Sequence, residues 1–162
     1  MVSTAVPIIT LRGSPFASRI IAAIELGRRT LVTSPPAKLP LQTAAELGQF
    51  LLPRFGAHPV ERFGVVLLDA RHRFLSVHLV SEGSLTATAV LARDVFREAT
   101  IGDAAAVALF HNHPSGDPTP TRPDVMLTRR FCEAGETLGI DVVDHLILAD
   151  DRYCSMRQLK LI

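Results

Sequence analysis

The stretch AAAVALFHNHPSGDPTPTRPDVMLTRRFCEAGETLG, residues 104–139, sets a short apolar run, a proline-rich loop and an amphipathic helix in immediate succession. AAAVALF (104–110) reads as a short buried strand that ends at His111. Pro114, Pro118, Pro120 and Pro123 then stiffen the connection. From Asp124 onward, Leu127, Phe131, Ala134 and Leu138 recur at helical spacing as an inner stripe, and Gly139 supplies the stop. This alternation belongs to an α/β domain.

Working outward, IDVVDHLILA (140–149) and YCSM (153–156) read as closing strands. Upstream, TAVLARDVFREAT (88–100) returns to helical period, while ERFGVVLLDA, the polar ARHR and FLSVHLV form a hairpin with a buried first strand. Thr43 can cap a helix over roughly 44–55. TSPPAKLPL (33–41), with three prolines, reads as a linker, and SPFASRIIAAIELGRRTL (14–31) as a short amphipathic helix with Ile20, Ile24 and Leu31 on one side and Arg19, Arg28 and Arg29 on the other. The expected division is an N-terminal appendage with linker, 1–41, and a main domain, 42–162. No internal repeat or low-complexity tract is present.

With 162 residues, 48% of them apolar, the chain can bury one good core. Seventeen Lys and Arg against sixteen Asp and Glu leave a net charge of +1, neither a polyanion-binding excess nor an acidic tail, so total charge points to no particular partner. Cys132 and Cys154 make neither a C-x-x-C pair nor a disulfide framework, so a reducing compartment is expected. The opening residues lack a signal-peptide pattern and no apolar run is long enough for a membrane span, so the sequence predicts a cytoplasmic protein. Assembly state is not legible.

The chemistry concentrates at 111–124. His111 and His113, two apart in an extended segment directly after a buried strand, leave the same face and can meet one ion. Asp124 falls on the apolar side of the helix at its first turn. Burying an unpaired carboxylate costs several kcal/mol even after relaxation, so it either faces a cation or caps the helix. Both readings stand, because Thr121-Arg122-Pro123-Asp124 also spells a capping box.

Two imidazole nitrogens and a carboxylate oxygen suit one zinc ion per chain, and three protein ligands with an open fourth position mark a catalytic site. Cys132, eight residues along the helix from Asp124, is about 12 Å away at 1.5 Å per residue and cannot join it. A water made acidic by zinc still needs a base, and Glu61 is the candidate. It opens ERFGVVLL on the face of Phe63, Val65 and Leu67, although an ordinary charged residue at a strand start reads equally well. Asp117 and Ser115 read as turn residues, and Asp144-His145 either as a pair standing behind the metal ligands or, the simpler reading, as an interior histidine satisfied by its neighbour. The letters HNH are not a nuclease signature here, since Asn112 in a strand points away from both histidines.

HNHPSGDPTPTRPD (111–124) resembles the JAMM motif, His-x-His followed after seven residues by Ser and then Asp, in the form found in the RadC family. The likeness runs through ERFGVVLLDA, ARDVFREA and DHLIL with Tyr153 and Ser155, roughly residues 59–157. The resemblance implies an MPN/JAB1-like (cytidine deaminase-like) mixed sheet flanked by helices. It also implies zinc on His111, His113 and Asp124, an acidic catalytic residue at Glu61, and Thr121 where the motif's serine stabilises a developing oxyanion. RadC-like chains usually begin with helix-hairpin-helix elements suited to DNA. RIIAAIELGRR resembles the end of that region, but Arg12-Gly13-Ser14-Pro15 stands where a glycine-rich hairpin is expected.

Two functions follow as expectations. The first is a zinc metallopeptidase or isopeptidase acting on a peptide or protein substrate. The second is a DNA-repair-associated accessory module with a non-catalytic metal site, for which four arginines without interleaved aromatics make a weak nucleic-acid signal.

Overall fold

A computed structural model describes residues 15–33, 38–83 and 90–162, the side chains of 28–33 excepted. Arg12, Gly13, Ser14, the linker residues 34–37, the beginning of the segment 88–100 and the side chains of Arg28, Arg29 and Leu31 lie outside the described residues. The chain divides into two compact units, residues 1–34 and 35–162. The first contains the helix α1 (Pro15–Thr33). No helix among the described residues is long and apolar enough to cross a membrane.

The second unit is built on β1 (Arg62–Leu68), β2 (Phe74–Glu82), β3 (Ala106–Asn112), β4 (Asp141–Ala149) and β5 (Arg152–Ser155). They form one mixed sheet in the order β2-β1-β3-β4-β5. β1 pairs antiparallel with both β2 and β3, β3 runs parallel to β4, and β4 pairs antiparallel with β5. The central strand β3 is buried along its whole length, as its apolar run 106–110 demands, and carries His111 and Asn112 buried at its end.

The helices α3 (Ala92–Ile101) and α4 (Arg122–Leu138) cover one face, where Val95, Phe96, Leu127 and Phe131 meet Phe63, Val65, Val107 and Leu109. α4 is also the crossover between the parallel strands β3 and β4. Its N-terminus therefore stands at the C-terminal end of β3, the place where such units offer backbone and side chains to ligands. The expected inner stripe of α4 needs one correction. The buried residues are Asp124, Leu127, Thr128, Phe131 and Gly135, while Leu138, in the last turn, is exposed, because the helix ends there without returning to the sheet.

On the other face lies α2 (Ala44–Leu51), capped by Thr43 as the sequence suggests, in a capping box that Glu46 completes. The α-helix stops earlier than the expected 55. Pro53 lacks an amide for the next α-helical bond, and residues Leu52–Gly56 widen into a π turn. Phe55 of that turn packs against Phe110 of β3 with tilted rings 4.6 Å apart, and Phe50 of α2 against Phe74 at 5.0 Å. Residues 39–41, which their prolines suggest as linker, are instead fastened to this unit. The bonds that hold them do not need the N–H that Pro40 lacks: Leu41 N donates to His72 O (2.9 Å), and Leu39 O accepts from Phe74 N (2.8 Å).

Gly64 of β1 leaves room for the ring of Phe110. A Cβ there would fall 2.3 Å from the Phe110 ring and 2.7 Å from the His78 carbonyl. Gly64→Ala is expected to destabilise the fold by about 1–3 kcal/mol, read from a shift in urea midpoint at unchanged slope.

The β1–β2 hairpin turns on Asp69, whose carboxylate accepts from the Arg71 and Arg73 amides (2.8 and 2.9 Å) and from the Arg73 side chain (2.6 Å). The Arg73 guanidinium, helped by the backbone donors, lowers the Asp69 pKa to about 2. A value depressed in the folded state means stability present above the unfolded value and lost as pH falls through the folded one. Asp69→Asn should therefore lower Tm at neutral pH, with the two melting curves converging between about pH 4 and pH 2.

Candidate metal centre

The register of β1 against β3 pairs Phe63 with His111, which places Glu61, two residues earlier, beside the end of β3. His113 follows β3 closely enough to donate its amide to Leu148 O of β4 (2.8 Å). Extended backbone thus carries both histidines to one face, as their spacing requires. Their Nε2 atoms lie 2.9 Å apart. Asp124, in the first turn of α4, brings Oδ1 to 3.4 Å from His111 Nε2 and Oδ2 to 3.6 Å from His113 Nε2. Ligand atoms of Glu61, His111 and His113 lie within 4.8 Å of one another, a group that could hold a metal ion. Two carboxylates therefore flank one pair of imidazoles.

The capping and inward-facing readings of Asp124 hold together. Thr121 is the N-cap of α4, and its amide (2.7 Å) and hydroxyl (2.5 Å) both donate to Asp124 Oδ2. The Thr121 hydroxyl proton is thus spent on Asp124, leaving its oxygen to accept from the Asp124 amide at 3.3 Å. In this arrangement Thr121 acts on the carboxylate. Ser115 lies in the turn, where Asp117 N approaches its oxygen at 3.4 Å.

Hydrogen-bond partners fix the tautomers. The Thr128 hydroxyl faces the Asp124 carbonyl (2.7 Å) and the Met156 sulfur (3.2 Å), which only accept, so its oxygen is satisfied when His145 Nδ1 donates to it (2.6 Å). His145 Nε2 is then an acceptor, and His111 Nδ1 donates to it at 2.8 Å. His113 Nδ1 must likewise donate to the Asp117 carbonyl at 2.7 Å. Both Nε2 atoms consequently present lone pairs to the same point, next to a carboxylate. Only a cation can sit there: a proton in the metal-free chain, or a metal ion.

The electrostatics agree. Burial drives the His111 pKa down to about 4, against the opposing pull of Asp124. The hydrogen-bonding Asp124 carboxylate raises the His113 pKa, its burial notwithstanding. Burial pushes Asp124 upward, but His113, Thr121 and His111 together hold it well below the usual carboxylate range. His145, fully buried, is pushed well below the usual histidine range by desolvation first and by His111 second.

His145 corrects the expectation of a histidine satisfied by its neighbour. The Asp144 carboxylate takes the His145 amide (2.7 Å), Ser155 Oγ (2.6 Å) and Arg157 N (3.1 Å), not the ring, which reaches His111 and Thr128 instead. The missed signal is alternation: β4 pairs His145 with Leu109, the residue on the same face as His111 one step back along β3. Asp117 is a turn residue as expected, bonding Thr119 through its side chain, and its carbonyl orients His113. Arg152 closes the same loop by donating to Gly116 O at 2.6 Å. Cys132 and Cys154 are free, half-buried thiols outside the cluster.

Comparison with known proteins agrees with this architecture. Residues 41–161 match the family described as RadC-like JAB domain. A UPF0758 protein of Symbiobacterium thermophilum is 43% identical over 143 residues, covering 88% of this chain and 61% of the relative. UPF0758 proteins of Methanosarcina acetivorans and Alkaliphilus oremlandii are 40% and 39% identical, each over 90% of this chain and 63% of their own length. The chain spans about three fifths of the length of these relatives. By its sequence match, its mixed sheet and its histidine cluster, this chain belongs to the RadC-like JAB domain family.

Proposed function

We propose that this domain is a zinc-dependent hydrolase of JAMM type that cleaves a peptide or isopeptide bond in a protein substrate. The observation that carries the reading is the pair of Nε2 lone pairs aimed at one point 2.9 Å apart beside the Asp124 carboxylate. Zinc bonds of about 2.0–2.2 Å at tetrahedral angles separate neighbouring ligand atoms by about 3.3–3.5 Å. The imidazole nitrogens, at 2.9 Å, would open by a few tenths of an ångström, and each already has its own Asp124 oxygen in that range, Oδ1 at 3.4 Å from His111 and Oδ2 at 3.6 Å from His113. His111, His113 and Asp124 would hold the ion.

Bound there, zinc would supply Lewis acidity toward a substrate carbonyl and a water acidified toward neutral pH. Glu61 would take that water's proton and return it to the leaving amine, the exchange a half-exposed carboxylate beside the histidines can make. His145 and Asp117 keep the imidazoles in the ligating tautomer. Thr121 holds Asp124 in place. Assisting an oxyanion as the motif's serine does would require its hydroxyl to turn from the carboxylate.

Purified protein is expected to hold one zinc per chain by atomic emission, and His113→Ala and Asp124→Ala to lose it while circular dichroism shows both folded. A wild type without zinc after reconstitution would end the hydrolase reading. Glu61→Gln should retain zinc and lose at least 10²-fold in turnover of a peptide or isopeptide conjugate. His145→Leu, which removes the tautomer lock, should weaken zinc about 10–100-fold by chelator competition.

A further inference from the structure

Asn112 stands between the two histidines, and the expectation that it points away from them holds. It is fully buried on the opposite face of β3. Its amide is nonetheless engaged by one short segment, 58–62. Asn112 Nδ2 donates to His58 O at 3.1 Å and to Val60 O at 3.2 Å, while Oδ1 accepts from Arg62 N at 2.8 Å. The residue enclosed by these bonds is Glu61.

The β1–β3 ladder explains why a side chain is needed. Its last backbone pair before the cluster is Phe63 with His111, and Glu61 lies ahead of the strand. Without Asn112 the carbonyls of residues 58 and 60 and the amide of Arg62 would lack these partners at a partly buried position, at a cost the segment would avoid by moving. The Asn112 amide extends the ladder through a side chain by offering two donors and one acceptor at once. A carboxylate of the same shape could accept from Arg62 but would repel both carbonyls.

We infer that Asn112 is a positioning residue that references Glu61 to the same three-residue stretch that carries both metal-facing histidines. The base and the ion are thereby held in one frame: displacement of β3 moves all of them together. This rests on the reading of Glu61 as the base.

The test compares Asn112→Asp and Asn112→Leu with Glu61→Gln and with the double variant Glu61→Gln/Asn112→Asp. Three readouts are taken: zinc affinity by chelator competition, hydrogen exchange of the 58–62 segment by mass spectrometry, and the visible spectrum of the cobalt-loaded protein. Exchange in 58–62 should rise at least tenfold in both Asn112 variants, with zinc affinity within about threefold of wild type. The cobalt spectrum of Asn112→Asp should change in the same sense as that of Glu61→Gln, and the double variant should match Glu61→Gln alone. Unchanged exchange, or zinc loss comparable to that of His113→Ala, would overturn the inference. If Glu61→Gln alone leaves both spectrum and turnover unaltered, the base reading fails, while faster exchange would still establish that Asn112 holds the segment.

Discussion

Two imidazole nitrogens with lone pairs directed at one point repel each other, and at 2.9 Å they stay together only around positive charge. Much of this domain serves to enforce that encounter. β3 is buried throughout and flanked on both sides by paired strands, so His111 has little freedom to turn away. Its outer nitrogen is tied through His145 to Thr128, and that of His113 to the Asp117 carbonyl. Rigid placement before an ion arrives lowers the ordering cost of binding it.

Asp124 brings economy to the design. One carboxylate closes the capping box of α4 and also faces both histidines, so the bond that begins the helix orients the site's negative charge. The helix N-terminus favours that charge, which helps to offset the desolvation of a largely buried acid. The loop that delivers it is held at Gly116 by Arg152 and at Asp117 by Thr119, in addition to its prolines.

The fold was legible where a single element bears its own pattern. The apolar run at 104–110, the hairpin text ERFGVVLLDA to FLSVHLV and the Gly139 stop each map to an observed element. Errors fell where a neighbour decides. Pro53 converted a helix end into a π turn, Leu138 lost its place in the stripe, and Leu39 and Leu41 joined the sheet despite flanking Pro40. The resemblance carried Glu61, whose pattern alone equally suited an exposed strand start.

Local rules act through nearby backbone, so composition and spacing alone determined that His111 and His113 share a face, that Asp124 begins a helix with its carboxylate inward, and that one buried strand leads into both. Partners separated by tens of residues depend on strand order and register, which no local pattern encodes. Only the tertiary structure decided that β4 lies parallel to β3 and sets His145 behind His111, and that β1 lies antiparallel to β3 and sets Glu61 beside the pair. It also directed the Asn112 amide, which a strand pattern marks only as pointing away, onto the backbone around Glu61.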